Sequence, residues 1–128
     1  MNKNLNPNLK LLEDTYSLSK VSNESPLTSH NEFFCSMKEA HVTTYIYKQA
    51  QIESEHFLEV SHGWRILKID AKLDFSQTGV LHSIITPLSE SKISILVVSS
   101  FDTDYIFIKE EDLVKALDIL KIAGYKFN

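Results

Sequence analysis

The sequence predicts an α+β domain in which two helices cover one face of an antiparallel sheet. Residues 64–69 place apolar side chains on both faces of one strand, which is typical of a strand covered on both sides. Apolar residues then recur at positions 80, 81, 84, 85 and 88, which is helical spacing. A second helical pattern begins near Glu111 with acids in its first turn and Lys121 in its last.

Between the two predicted helices, two β-rich runs are separated by a short polar connection, which predicts a hairpin of residues 93–99 and 103–108. The alternation of apolar residues in 93–98 predicts that this strand is also buried on both faces. Gly124 is expected to stop the second helix, and residues 125–128 can add a short final strand. The resulting order, strand, helix, strand, strand, helix, strand, is the ferredoxin-like βαββαβ plan.

The first half of the chain gives weaker signals. Residues 9–21 predict two short extended pieces around an acidic turn at Glu13 and Asp14, and residues 42–48 alternate as a strand. Residues 22–32 predict a loop, with one helical turn after Pro26 as an alternative. Residues 49–62 predict a helical turn or an irregular connector that ends at Gly63.

Composition limits the classes of function. The 128 residues are 43% hydrophobic, which suits one compact domain. A net charge of −4 without a basic stripe argues against nucleic-acid binding, and no apolar run reaches the ~18 residues of a membrane span. The polar start of the chain and the single cysteine, Cys35, predict a cytoplasmic protein without an internal disulfide.

Three ordered motifs carry a resemblance to a known family. The runs GWRILKI, LDFSQTGVLHSIITPLSESKISILVVSS and FDTDYIFIKEEDLVKAL are similar to those of small bacterial ACT proteins related to the CASTOR arginine sensors. The match is close over residues 62–123 and looser over 9–50. The resemblance implies a degenerate ACT-like half at 1–61 that shares a core with an ACT domain at 62–128. It also implies an amino-acid-sized ligand beside the first strand-to-helix turn, without catalysis or a cofactor.

The residues of that turn predict a carboxylate site. The first NH groups of a helix lack internal acceptors and carry the positive end of its dipole. Ser76 or Thr78 can cap the helix, and Gly79, which lacks a Cβ, lets a ligand approach closely. In the alternative interpretation, Gly79 only permits tight packing of the helix and the hydroxyls are ordinary caps.

The hairpin connection is expected to supply the other side of the site. Asp104 can face a ligand cation, whereas Asp102 suits a solvated turn. The resemblance implies a ligand contact for Asp104 and an aromatic at Phe101. Gln77 stands where those sensors carry an acid, so the resemblance does not imply arginine as the ligand. The predicted ligand-binding residues are Ser76, Gln77, Thr78, Gly79, Val80, Ser100, Phe101 and Asp104.

No other motif in the sequence indicates chemistry. Cys35 lies in an apolar run typical of an inert buried thiol, and the five histidines lack the spacing of a metal site. His82 can border the ligand or lie on a solvated helix face. Two functions stay open: a sensor or regulatory module for a small amino acid or related metabolite, or a protein-interaction subunit with a vestigial site. A small enzyme is a third, less favoured alternative. The two-faced strands also predict a homodimer, and a regulated protein partner is expected without being identified.

Overall fold

A computed structural model describes residues 6–27, 33–51, 57–73 and 79–128. Its elements are β1 (Leu9–Leu11), β2 (Tyr16–Ser22), β3 (Cys35–Lys38), β4 (Val42–Lys48), β5 (Phe57–Ile69), α1 (Val80–Glu90), β6 (Ile95–Ser99), β7 (Asp104–Lys109), a 3₁₀ turn (Glu110–Asp112) and α2 (Leu113–Ile122). The chain divides into two compact units, Met1–Glu13 with Arg65–Asn128, and Asp14–Trp64. The boundary between the units therefore falls within β5. We refer to the first as the helical unit and to the second as the strand unit.

The helical unit contains both helices. Its part of β5 pairs antiparallel with β1, so that Leu9 faces Ile69, and neighbours β7, which forms an antiparallel hairpin with the edge strand β6. The helices and the strands bury one aliphatic core, whose members are Leu9, Leu67, Ile69, Ile84, Leu88, Ile93, Ile106, Ile108, Ala116, Leu120 and Tyr125. The predicted α+β arrangement, with both helices on one face of an antiparallel sheet, is confirmed.

Local sequence explains where the two helices end. Pro87 lies in the last turn of α1, where its missing NH weakens little of the helix, and α2 carries Lys121 in its last turn. Gly124 follows α2 with φ of +101°, a conformation that glycine adopts without a Cβ clash. Phe127 then forms a single parallel bridge with Leu9, so the expected short final strand is reduced to one bridge residue in the described structure.

The strand unit orders its strands β3, β4, β2 and β5, all antiparallel. One face of β2 and β4 buries Val21, Tyr45 and Tyr47 under the partly buried Leu27, Phe33 and Phe57. Ser17, Ser19 and Thr43 are buried as well, so this face combines aromatic rings with hydroxyl groups. The strands predicted in 9–21 and 42–48 are confirmed as β1, β2 and β4.

Two predictions about strands are wrong. Residues 57–62 are neither a helical turn nor an irregular connector, because β5 pairs with β2 from Val21↔Phe57 to Tyr16↔Trp64 and continues through Gly63 at φ +80°. Residues 52–56 of that predicted segment lie outside the described residues. The register shift between Tyr16 and Leu18 places an extra β5 residue there, a bulge that suits glycine. The expected burial of 93–98 on both faces is also wrong, since β6 is an edge strand with Leu96 and Val97 exposed.

Candidate functional site

The start of α1 lies at Gly79, which is exposed and occupies the N-cap position with φ of −106°. Val80 is the first helical residue and packs against the aliphatic core, which fixes the direction of the helix. The carbonyl of Gly79 accepts the Ser83 NH at 3.0 Å, the first bond of the helical ladder. The NH groups of residues 80–82 therefore point out of the helix without intrahelical acceptors. Ser76, Gln77 and Thr78 lie outside the described residues, so their role at this helix start stays a prediction.

Gly79 differs from the other two glycines of the chain. Gly63 and Gly124 have φ of +80° and +101°, where a side chain is strained, whereas the φ of Gly79 is one that any residue adopts. Among the described residues, nothing lies within 4 Å of the place where a Gly79 Cβ would stand. Glycine is an ordinary residue at an N-cap, but neither its φ nor a described neighbour excludes a side chain at position 79.

The hairpin turn between β6 and β7 is held by its own hydroxyl groups. The Ser100 NH donates to the Thr103 carbonyl at 2.8 Å, and the Ser100 Oγ accepts the Thr103 NH at 3.2 Å while donating to the Thr103 carbonyl at 3.0 Å. The Ser99 hydroxyl donates to a carboxylate oxygen of Asp104. Phe101 stands at the tip with 77% of its surface exposed. The turn consequently presents an aromatic ring, and its half-buried Asp104 carboxylate is oriented by Ser99.

The strand end that leads toward α1 is bonded to this hairpin turn. The Leu73 NH donates to the Asp102 carbonyl at 2.7 Å, and the buried Thr103 hydroxyl donates to the Ile69 carbonyl at 2.7 Å. Residues 69–73 therefore lie beside Asp102 and Thr103, in the turn that also carries Ser100, Phe101 and Asp104. The sequence did not indicate Thr103, because one threonine between two aspartates has no distinguishing pattern. It did not indicate Leu73 either, because Leu73 takes part through its backbone NH.

The two aspartates of the turn have different surroundings. Asp102 is exposed, and its side chain faces the equally exposed Lys72 at 3.7 Å. A solvated ion pair of this kind contributes little to stability. Asp104 is half-buried at the start of β7 and opposite Ser99 in the ladder. The arrangement offers one carboxylate that Ser99 orients and one that is solvated, and a ligand contact for Asp104 stays a prediction.

The remaining candidates give no second site. Cys35 is half-buried and burial raises the pKa of its thiol, so the nucleophilic thiolate is disfavoured. Within the described residues, no group of three or more His, Cys, Asp and Glu side chains is arranged to hold a metal ion. His82 is exposed on α1, where its backbone carbonyl accepts the Thr86 hydroxyl at 2.8 Å.

No helix in the described ranges has the length and apolar composition needed to cross a bilayer.

Comparison with known proteins identifies the fold that presents this helix start and hairpin. Residues 59–121 match the family model of the ACT domain. The fold of this stretch is that of an ACT domain. The stretch contains α1, β6, β7, all but the first two residues of β5 and all but the last residue of α2, so every described residue of the candidate site belongs to it.

Curated relatives match the same half of the chain. The cytosolic arginine sensor for mTORC1 subunit 1 of Rattus norvegicus is 29% identical over 68 residues, and these cover 49% of this chain and 20% of the sensor. The Homo sapiens sensor is 29% identical over 69 residues, which cover 49% of this chain and 21% of the sensor. The chain thus matches about a fifth of the length of these sensors. The predicted relation to the arginine sensors is confirmed at the level of the ACT domain.

Solved structures extend the likeness to nearly the whole chain. An Agobacterium tumefaciens protein superposes with a TM-score of 0.84 at 26% identity and covers 98% of this chain and 94% of its own. The ligand-free regulatory subunit of aspartate kinase from Thermus thermophilus has a TM-score of 0.64 at 10% identity. The superposition covers 91% of this chain and 97% of the subunit's chain. At that identity the second likeness shows the fold alone. The sequence relatives are thus named as a sensor, and the protein named as a regulatory subunit shares the fold.

Proposed function

We propose that this chain is a non-catalytic regulatory or sensor module that binds a small amino acid or a related metabolite at the start of α1. The observation that carries the proposal is Gly79, whose backbone angles and described surroundings do not require glycine although it begins the helix. A glycine there keeps the NH groups of the first turn accessible to a ligand carboxylate. The relatives named as an arginine sensor and a regulatory subunit support the same class of function.

The ligand is proposed to lie between the helix start and the hairpin turn. Its carboxylate binds the NH groups of Thr78, Gly79 and Val80, and its cationic group lies near Asp104. The half-buried Asp104 carboxylate suits this role because Ser99 orients it and a charge-assisted contact is strongest where water is partly excluded. Ser76, Gln77, Ser100 and Phe101 complete the proposed ligand-binding set.

A thermal-shift screen with each of the twenty amino acids tests the proposal. A ligand at a hundred times its dissociation constant stabilises the folded protein by about 2.7 kcal/mol, which is readily measured. Gly79→Leu should abolish the shift by filling the helix start, and Asp104→Ala should weaken binding about ten- to hundredfold. Asp102→Ala is the matched control, because its solvated side chain is outside the proposed site. Affinity that is indifferent to Gly79→Leu and Asp104→Ala would place the ligand elsewhere.

An interaction subunit with a vestigial site is the second candidate function. The exposed Leu96 and Val97 on the edge strand β6 favour it, since an unpaired strand edge with apolar side chains can pair with another chain. The same edge supports the proposed homodimer, which light scattering at high protein concentration tests. Absence of binding by any amino acid at millimolar concentration, together with a persistent complex with another protein, would favour this candidate. A cytoplasmic location, and the division into a degenerate ACT-like half at 1–61 and an ACT domain at 62–128, stay part of the proposal.

A further inference from the structure

Thr103 is a buried polar residue whose hydroxyl bonds outside its own turn. Its side chain is 4% exposed, and its Oγ1 donates to the carbonyl of Ile69 at 2.7 Å. Ile69 is the last residue of β5, the strand that precedes the connection to α1. A buried threonine that bonds the end of a neighbouring strand fixes the separation of the hairpin turn from that strand end.

A second bond joins the same two segments four residues further along. The Leu73 NH donates to the Asp102 carbonyl at 2.7 Å. The Ala71 NH donates to the Ile69 carbonyl at 2.9 Å. Residues 69–73 are therefore attached to the hairpin turn by one hydrogen bond at each end, at Ile69 and at Leu73. The exposed pair of Lys72 and Asp102 adds little to this attachment because water screens it.

The other side of residues 69–73 is also bonded. The Asp70 NH donates to the Asn8 carbonyl at 2.8 Å, and the Asn128 side-chain amide donates to the Asp70 carboxylate. The strand end is thus held on both sides, and of these bonds only those of Asp102 and Thr103 reach the hairpin. Any change in their geometry alters the placement of residues 69–73 relative to the hairpin turn.

We propose that Thr103 is a positioning residue for the ligand site, and the inference rests on the proposed function. Its hydroxyl holds the hairpin that carries Ser100, Phe101 and Asp104 in register with the strand end from which the connection to Gly79 departs. The two sides of the site, one for a carboxylate and one for a cation, then keep the spacing of a single small ligand. The bond from Leu73 to Asp102 depends on the same register.

Three variants separate positioning from simple stabilisation. Thr103→Val removes the hydroxyl at nearly constant volume, and Thr103→Ser keeps it. Thr43→Val is the matched control, because Thr43 is likewise buried and donates to the side chain of Asn23 at 2.6 Å within the strand unit. The amide hydrogen exchange of Leu73 in the ligand-free full chain is the first readout, with the core amide of Ile108 as reference. Affinity for the amino acid that gives the largest thermal shift is the second.

In Thr103→Val, the Leu73 amide should exchange about 3- to 10-fold faster relative to Ile108, and affinity should fall by a similar factor. Thr103→Ser should restore both, and Thr43→Val should change neither. Equal acceleration at Leu73 and Ile108, or unchanged Leu73 exchange, would overturn the proposal. Unchanged affinity in Thr103→Val would overturn it as well. If no amino acid binds the unmodified protein, the proposed function fails, and the exchange of Leu73 alone supports or overturns the attachment through Thr103.

Discussion

The helical unit and the strand unit bury different kinds of side chain. The core of the helical unit is almost entirely aliphatic and lies between two helices and its strands. The strand unit, in which the described residues form no helix, buries Ser17, Ser19 and Thr43 beside the aromatic rings of Tyr45 and Tyr47. A site made of helix NH groups needs a helix that is anchored by its core. Of the described residues, those of the helical unit alone meet that condition.

The largest expected effect concerns the integrity of the helical unit. A fragment of residues 62–128 lacks β1, whose Leu9 is completely buried against the helices and whose pairing covers the edge of β5. Loss of one such leucine costs about 2–5 kcal/mol, a large part of a typical stability of 5–15 kcal/mol. We expect the fragment to unfold without a cooperative transition in circular dichroism. A chain starting at Asn8 keeps β1 and should unfold cooperatively, whereas a stable, soluble 62–128 fragment would contradict the prediction.

The second prediction compares two leucines of the same unit. Leu88 is fully buried on α1, while Leu96 is 37% exposed on the edge strand β6. Leu88→Ala should lower the free energy of unfolding by about 2–5 kcal/mol because it leaves a cavity in the aliphatic core. Leu96→Ala should cost less than about 1 kcal/mol, since much of that side chain already contacts water. Urea titration measures both, and equal losses would show that β6 is covered in solution.

The sequence predicted the helical unit well because its signals are local. Helical spacing over 80–88, the acids before α2 and the stop at Gly124 act within a few residues of each other. The strand at 57–63 could not be predicted in this way, because β5 gains its order from pairing with β2 and from the bulge at Gly63. The exposure of β6 depends on which strand ends the sheet, which alternation alone does not encode.

The candidate site likewise has features that the local sequence indicates and features that depend on strand pairing. Gly79 at a helix start and acids in a turn are visible as residue types in the sequence. The contrast between Asp102 and Asp104, and the bonds from Leu73 and Thr103, depend on which strand β7 lies beside. Long-range pairing of this kind leaves no local pattern, so Thr103 carried no signal as a site residue.

The third prediction compares Gly124 with Gly79 as alanines. Gly124→Ala places a Cβ at φ +101° and should cost about 1–2 kcal/mol. Gly79→Ala meets neither strain nor a described neighbour, and the gain from a less flexible unfolded chain opposes the poorer capping by alanine, so stability should stay within about 1 kcal/mol. Thermal unfolding without added ligand measures the change in stability of both variants. A large loss in Gly79→Ala would restore the interpretation in which Gly79 only permits tight packing.

The smallest expected effect tests the buried hydroxyls of the strand unit. Burial raises the pKa of Tyr47, although nearby Ser19 opposes the shift by favouring the ionised form. Among the described residues, neither hydroxyl meets a hydrogen-bond partner in bonding geometry. Because the folded pKa lies above the unfolded value of about 10, the protonated tyrosine's contribution is fully present below pH ~10 and is lost as pH rises through the folded pKa.

Tyr47→Phe should therefore leave the free energy of unfolding near pH 7 within about 1 kcal/mol of the unmodified protein, since it removes an unpaired hydroxyl rather than a bond. Above pH ~10 the variant should lose stability less steeply with pH, because one group no longer releases a proton on unfolding. Urea titrations at pH 7 and at about pH 10.5 measure the difference. Tyr105→Phe, in the half-buried position of β7 in the helical unit, is the matched control. Parallel pH curves for the unmodified protein and Tyr47→Phe would show that this hydroxyl ionises as readily in the folded protein as in the unfolded chain, which contradicts its burial.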